Sequence, residues 1–188
     1  MKKLAIFASG SGSNFQAIVD AVKAGKLDAE VSLLVCDKPG AFCIERASTE
    51  EIPSFVFNPK EYASKADYET ELYEKLKELE IDIIVLAGYM RLIGPVLLTP
   101  YEGKIVNIHP SLLPAFPGKD AIGQALAAKV KETGVTIHFV DSGMDTGPIV
   151  VQQSVSISET ETRESLQAKI QKIEHELYPS VLQKLLHS

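Results

Sequence analysis

Short, nearly unbroken apolar runs alternate with longer amphipathic stretches through the first half of the chain. Residues 3–8 (KLAIFA), 30–36 (EVSLLVC), 53–57 and 83–87 (IIVLA) read as strands. Their scarcity of polar positions suits a parallel sheet covered on both faces. Between them, residues 14–24 carry Phe15, Ile18, Val19 and Val22 at helical spacing, and residues 65–79 carry Tyr68, Leu72, Leu76 and Leu79. A shorter helix over 42–50 follows the Lys38-Pro39-Gly40 turn. The charged positions of 65–80 form a solvated face with i,i+4 pairs. Strand–helix–strand alternation of this kind predicts a parallel sheet with right-handed crossovers.

In the second half, residues from Ile105 onward begin as an apolar strand and break into Pro110, Pro114 and Pro117. The proline- and glycine-rich residues 114–123 are a candidate mobile lid, residues 121–131 a helix, and 134–140 a strand with Thr136, His138 and Val140 on one face. Residues 148–157 return as a strand or hairpin arm. A final amphipathic helix is expected over 162–186, with Thr162 and Ser165 at its cap and Pro179 imposing a break or kink near its end. The predicted class is α/β: a Rossmann-like, mostly parallel sheet flanked by helices on both faces, with an antiparallel element near the C-terminal end.

Composition narrows the function more than the fold. At 188 residues and 45% hydrophobic, the chain supports one sizeable core, so a single domain is expected. A net charge of −6, with lysines and arginines scattered rather than striped, argues against nucleic acid as partner. Cys36 and Cys43 have no redox or zinc spacing, and no signal peptide or membrane-length apolar run is visible, which fits the cytoplasm. His109, His138, His175 and His187 form no H-x-x-x-H pair, so no metal site is expected. Cys43, near a helix start, reads as a buried, inert thiol rather than an activated one.

Chemistry concentrates in three places. Residues 9–14 (SGSGSN) join a strand to a helix, and exposed N–H groups with a helix dipole at such a junction suit a phosphate. The dinucleotide fingerprint would need glycine where Phe15 stands and the P-loop would need G-K-[ST], so Asp37 is not read as the ribose-binding acid of a nicotinamide enzyme. Asn107 and His109, two apart where a strand yields to a loop, can aim two N–H donors at one oxygen that acquires negative charge. No enzyme nucleophile is needed if the acceptor brings its own. Asp145 would hold the histidine charged and oriented and relay the acceptor's proton. Taken alone, an Asn-x-His at such a junction is more often a capping and packing arrangement. The acidic loop 141–147 lacks the spacing and terminal glutamate of a calcium loop.

The whole pattern is more specific than its parts. N-x-H-P-S-L-L-P from Asn107 to Pro114, then Pro117-Gly118, then D-x-G-x-D-x-G-P from Asp141 to Pro148 together resemble the folate-dependent formyltransferases, over essentially the whole chain. The resemblance is strongest to the branch that moves a formyl group from 10-formyltetrahydrofolate to the amine of glycinamide ribonucleotide in de novo purine biosynthesis. It implies catalytic roles for Asn107, His109 and Asp145. It implies that Gly12, Ser13 and Asn14 grip the substrate phosphate and that Glu174 meets the amine end of the ribonucleotide. The folate would lie against Met90, Arg91, Leu92 and Ile93, with Asn107 and Lys65 approaching it.

The same resemblance implies one formyltransferase domain over 1–188, with a phosphate-binding half at about 1–100 and a catalytic, folate-binding half at about 101–188. Small-molecule substrates, no nucleic acid, no membrane and a monomer or homodimer go with it. Many relatives carry histidine soon after the Pro-Gly, where this chain has Lys119 and Asp120, which puts ligand contacts from that loop in question. Methionyl-tRNA formyltransferases and formyltetrahydrofolate deformylases share the N-x-H…D core but carry an additional domain, for which little length is left here. A non-catalytic nucleotide-binding module would use residues 9–14 and leave Asn107, His109 and Asp145 without a role.

Overall fold

The computed structural model describes residues 1–188. Its elements in chain order are β1 (Lys2–Ala8), α1 (Ser13–Lys23), β2 (Ala29–Cys36), α2 (Phe42–Thr49), β3 (Ser54–Val56), α3 (Lys65–Glu78) and β4 (Ile83–Leu86). There follow α4 (Pro95–Leu98), β5 (Ile105–His109), α5 (Ala121–Ala127), β6 (Glu132–Phe139), β7 (Ile149–Ser156) and α6 (Arg163–Leu186). The strands form one seven-stranded sheet in the order β3-β2-β1-β4-β5-β6-β7. Pairing is parallel from β3 to β5, whereas β6 and β7 run antiparallel to their neighbours.

Alternation along β1 divides the core. Leu4, Ile6 and Ala8 face a cluster built with Phe15 and Ile18 of α1, Cys43 and Ala47 of α2, and Leu166, Ile170 and Tyr178 of α6. Ala5 and Phe7 face a second cluster with Tyr68, Leu72 and Leu76 of α3 and Leu97 of α4. Helices therefore cover both faces, and the buried strands needed the apolar runs that the sequence supplies. The expected mostly parallel α/β sheet with an antiparallel end is what the chain forms. No helix is long and apolar enough to cross a membrane.

The boundaries differ in places. The helix expected over 121–131 ends at Ala127, because Ala128 caps it and Lys129 takes a left-handed φ of 55° that turns the chain directly into β6. Pro179 does not break α6, which is one helix from Arg163 to Leu186. Proline removes only one ladder donor, and buried Tyr178, Val181 and Leu182 hold the chain on both sides of it. The expected cap is present: Thr162 accepts from Ser165 N–H while the Ser165 side chain accepts from Thr162 N–H.

Tyr178 also ties α6 to the functional end of the sheet. Its fully buried hydroxyl lies 2.8 Å from the Leu86 carbonyl and 3.2 Å from the Val106 carbonyl. Tyr178→Phe leaves those acceptors facing a ring edge and is expected to cost about 1–2 kcal/mol. For a chain of this size that is a fall in Tm of roughly 2–8 °C by calorimetry. An unchanged Tm would remove the hydroxyl from the account of how α6 is held.

Candidate active site

Strand order reverses between β1 and β4, and in open α/β sheets the crevice at the carboxyl ends beside such a reversal receives ligands. The loops leaving β1, β4 and β5 meet there around a cleft of about 610 Å³, whose walls also take in residues 138–145 and one face of α6. A separate depression of about 650 Å³, lined by Val19, Val22 and Ile52 among others, lies at the amino ends of β1 and β2 and contains none of the chemistry-bearing residues.

The first wall is the residue 10–14 loop. Gly12 takes φ 75° as the residue before α1, and a Cβ there would stand 2.6 Å from the Cys43 Cβ, so the position excludes any side chain on two counts. The helix begins without a side-chain cap, which leaves its first N–H groups for the cleft that Gly12, Ser13 and Asn14 line. Cys43 is fully buried and its thiol lies 3.6 Å from that of Cys36. The Cys43 S–H directed at Cys36 pulls the Cys36 thiol down to about 7 and pushes Cys43 up.

Opposite stands Glu174, the buried carboxylate of α6, 3.5 Å from Asn14 Nδ2. Burial pushes its carboxyl from 4.5 to about 7, and the Asn14 amide offsets part of that rise. α6 presents Glu174 here because Tyr178, one turn further on, fixes the helix against Leu86 and Val106.

The centre comes from β5 and β6. Asn107 pairs with His138 and His109 with Thr136 across the two strands, so Asn107, His109 and His138 share a face. His138 Nδ1 lies 2.8 Å from the Phe139 carbonyl and must donate to it, which leaves Nε2 as an acceptor for the Asn107 amide at 3.4 Å. That assigns the amide nitrogen of Asn107 to this side, with a second N–H free for the cleft. His109 Nε2 lies 2.9 Å from the Phe116 carbonyl and its Nδ1 lies 3.6 Å from Asp145 Oδ2. Both ring nitrogens thus face acceptor oxygens. Asp145 Oδ2 also accepts from Gly118 N–H at 2.8 Å, and its Oδ1 is 3.8 Å from His138 Nε2.

Asp145 itself has φ 56°, a left-handed backbone that asparagine and aspartate tolerate better than other side chains. The turn is fixed by Asp141, which accepts from Gly143 N–H at 2.9 Å and the Thr146 hydroxyl at 2.6 Å. No room for a side chain exists at Gly147, whose Cβ would meet the Phe139 carbonyl at 1.8 Å. These close contacts aim the Asp145 carboxylate inward.

The remaining wall is the loop after β4. Met90 and Leu92 are exposed apolar side chains on the cleft, and Met144 faces them from the 141–147 loop. Arg91 and Ile93 line it too, whereas Lys65 does not. Lys65 instead donates to the Leu92 carbonyl at 2.7 Å from behind. The structure thus gathers Gly12, Ser13, Asn14, Glu174, residues 90–93, Asn107, His109 and Asp145 around one cleft and leaves Lys65 outside its lining. No group of three or more histidines, cysteines or carboxylates stands where it can hold a metal ion.

Comparison with known proteins gives the arrangement its kinship. The formyl transferase family pattern matches residues 2–182. The chain belongs to the formyl transferase family. This formyl transferase is 58% identical over 186 residues to the phosphoribosylglycinamide formyltransferase of Bacillus subtilis strain 168, covering 99% of this chain and 95% of that one. It superposes on the crystal structure of glycinamide ribonucleotide transformylase 1 from Geobacillus kaustophilus with a TM-score of 0.97, 66% identity and 99% of each chain covered. The phosphoribosylglycinamide formyltransferase structure from Bacillus halodurans gives 0.97 as well, at 61% identity, covering 100% of this chain and 96% of that one.

Two features of the formyl transferase site were not legible beforehand. The Phe116 carbonyl and Gly118 N–H, which engage His109 and Asp145, are backbone groups and leave no mark in side-chain pattern. Asp120 is the left-handed residue before α5, accepts from Gly123 N–H at 3.3 Å and pairs with Arg163. The Arg163 guanidinium holds the Asp120 carboxyl below its usual range. Asp120 thus serves as the cap of α5.

Proposed function

We propose that this formyl transferase moves the formyl group of 10-formyltetrahydrofolate onto the amine of glycinamide ribonucleotide, giving formylglycinamide ribonucleotide for purine biosynthesis in the cytoplasm. The observation that carries the reading is the convergence of Asn107, His109 and Asp145 on one cleft between an uncapped helix start and an apolar loop. The residue 12–14 N–H groups suit the ribonucleotide phosphate, and Glu174 accepts from its amine end. The exposed Met90 and Leu92, with Met144 across from them, make a flat apolar slot of the kind that takes a fused ring. Lys65 supports that slot through the Leu92 carbonyl. Residues 1–100 then supply the phosphate grip and residues 101–188 most of the chemistry, within one domain.

In the reaction the amine attacks the formyl carbon, and the formyl oxygen takes on negative charge. The free Asn107 N–H and the His109 Nε2–H stabilise it, the latter exchanging the Phe116 carbonyl for the substrate oxygen. Asp145, beside His109 Nδ1, balances the imidazolium and relays the proton lost by the amine. Collapse returns a proton to the folate nitrogen as the C–N bond to the carrier breaks. The segment 114–118 touches both catalytic groups and must shift as substrate enters, which is the role of a lid that excludes water.

The test is release of tetrahydrofolate from 10-formyltetrahydrofolate, followed by absorbance with and without glycinamide ribonucleotide. Turnover that requires the ribonucleotide is expected. Equal turnover with water alone would make the protein a deformylase, and binding without turnover would leave the catalytic roles unsupported.

A further inference from the structure

The cleft wall at residues 90–94 is held from outside by side chains of other elements. Met90 N–H donates to Ser9 Oγ at 2.9 Å and Arg91 Nε–H donates to Asp37 Oδ2 at 2.8 Å. Lys65 Nζ donates to the Leu92 carbonyl at 2.7 Å, and Gly94 N–H donates to Glu69 Oε2 at 2.8 Å. Asp37 is the hub of the near end. Its Oδ1 accepts from the Ser9 hydroxyl at 2.6 Å, so one carboxylate fixes Arg91 directly and Met90 through Ser9.

The topology makes this bridge possible. Asp37 directly follows β2, Ser9 follows β1, and the wall follows β4, and these strands are neighbours in the sheet. The Asp37 side chain is 6% exposed while that of Arg91 is 40% exposed. Asp37 itself does not line the cleft. A buried carboxylate keeps its charge in such a place only while hydrogen-bond donors surround it, and here both bridges lead to the wall.

We propose that Asp37 is a positioning residue for the formyl donor, holding Met90 and Arg91 in the shape that receives the folate ring. The inference rests on the reading that this wall is the folate side of the cleft. A tie serving stability alone would weaken the fold, or both ligands alike. A positioning tie acts on the donor selectively, because the phosphate grip of residues 12–14 and Glu174 shares none of its hydrogen bonds.

The experiment compares the full-length wild type with Asp37→Asn and Ser9→Ala, using tetrahydrofolate and glycinamide ribonucleotide as separate probes in calorimetry. Asp37→Asn removes the negative charge beside the Arg91 guanidinium and leaves one acceptor for two donors, so that either the Arg91 or the Ser9 link is lost, and this is expected to weaken tetrahydrofolate binding about tenfold. Ribonucleotide binding should stay within about twofold, and in turnover the KM for 10-formyltetrahydrofolate should rise with kcat within about twofold. Combining the two substitutions should add little to the larger single effect, since both cut one network. Should Asp37→Asn fail to fold, Ser9→Ala keeps the carboxylate, severs the Met90 link and carries the same selective loss.

Unchanged tetrahydrofolate binding in the variants, or parallel loss of both ligands, would overturn the inference while the functional reading stands. Failure of the wild type to bind tetrahydrofolate would overturn both.

Discussion

Asn107→Ala and Asp145→Asn are each expected to lower kcat by about 10²–10³, with ribonucleotide and folate still bound. The Asn107 amide, proposed as an oxyanion donor, keeps a second N–H uncommitted, its first being held by His138 Nε2 at 3.4 Å. Alanine removes that donor and leaves β5 intact, since Asn107 pairs with Leu86 and His138 through the backbone ladder. Asparagine at 145 keeps the left-handed φ of 56° and can still accept from Gly118 N–H, so the loop retains its shape. It loses the negative charge 3.6 Å from His109 Nδ1, and with it the balance for an imidazolium and the proton relay. Steady-state kinetics with calorimetric binding separates the two effects. Wild-type kcat in either variant would remove the catalytic assignment.

The same residues explain how much of the site could be read from the chain. Asn107 and His109 were legible because strand period two puts them on one face, and the prolines after His109 mark where the strand opens. The strand–loop–helix junction around Gly12 was legible because a strand, small residues and a helix start lie in order; the packing of Cys43 beneath it was not. The β–α order was read well for the same reason, as apolar runs and helical stripes are local signals. What escaped was non-local. Asp37 meets Arg91 across 54 positions of sequence, and Tyr178 meets Leu86 across 92. The break suggested by Pro179 did not occur, because a local rule about the missing N–H takes no account of the buried neighbours that hold α6 as one helix through it. Lys65, placed near the folate by resemblance, lies outside the cleft lining and donates to the Leu92 carbonyl, a contact 27 positions away in sequence that no local pattern announces.

Glu174→Gln is expected to make the protein more stable above neutral pH and a poorer binder of the ribonucleotide. Burial raises the Glu174 carboxyl from 4.5 to about 7 in the folded chain. A carboxyl raised on folding contributes stability that is fully present below its unfolded value and is lost as pH climbs through the folded one. The wild type therefore gives up stability between about pH 4.5 and 7, worth about 3 kcal/mol at 1.36 kcal/mol per pH unit. Glutamine, uncharged throughout, avoids that loss. Denaturant unfolding at pH 5 should find the two proteins close, and at pH 8 the variant ahead by about 3 kcal/mol, or roughly 6–12 °C in Tm. Ribonucleotide binding should move the other way. In the wild type it tightens as Glu174 ionises near neutrality and accepts from the amine end, and in Glu174→Gln that pH dependence flattens. A stability gap that does not widen between pH 5 and 8 would sink the buried-charge account. The acid that is costly to bury once ionised is then the one proposed to meet the substrate amine, and the fold tolerates it because Tyr178 and the Asn14 amide hold α6 and α1 against each other around it.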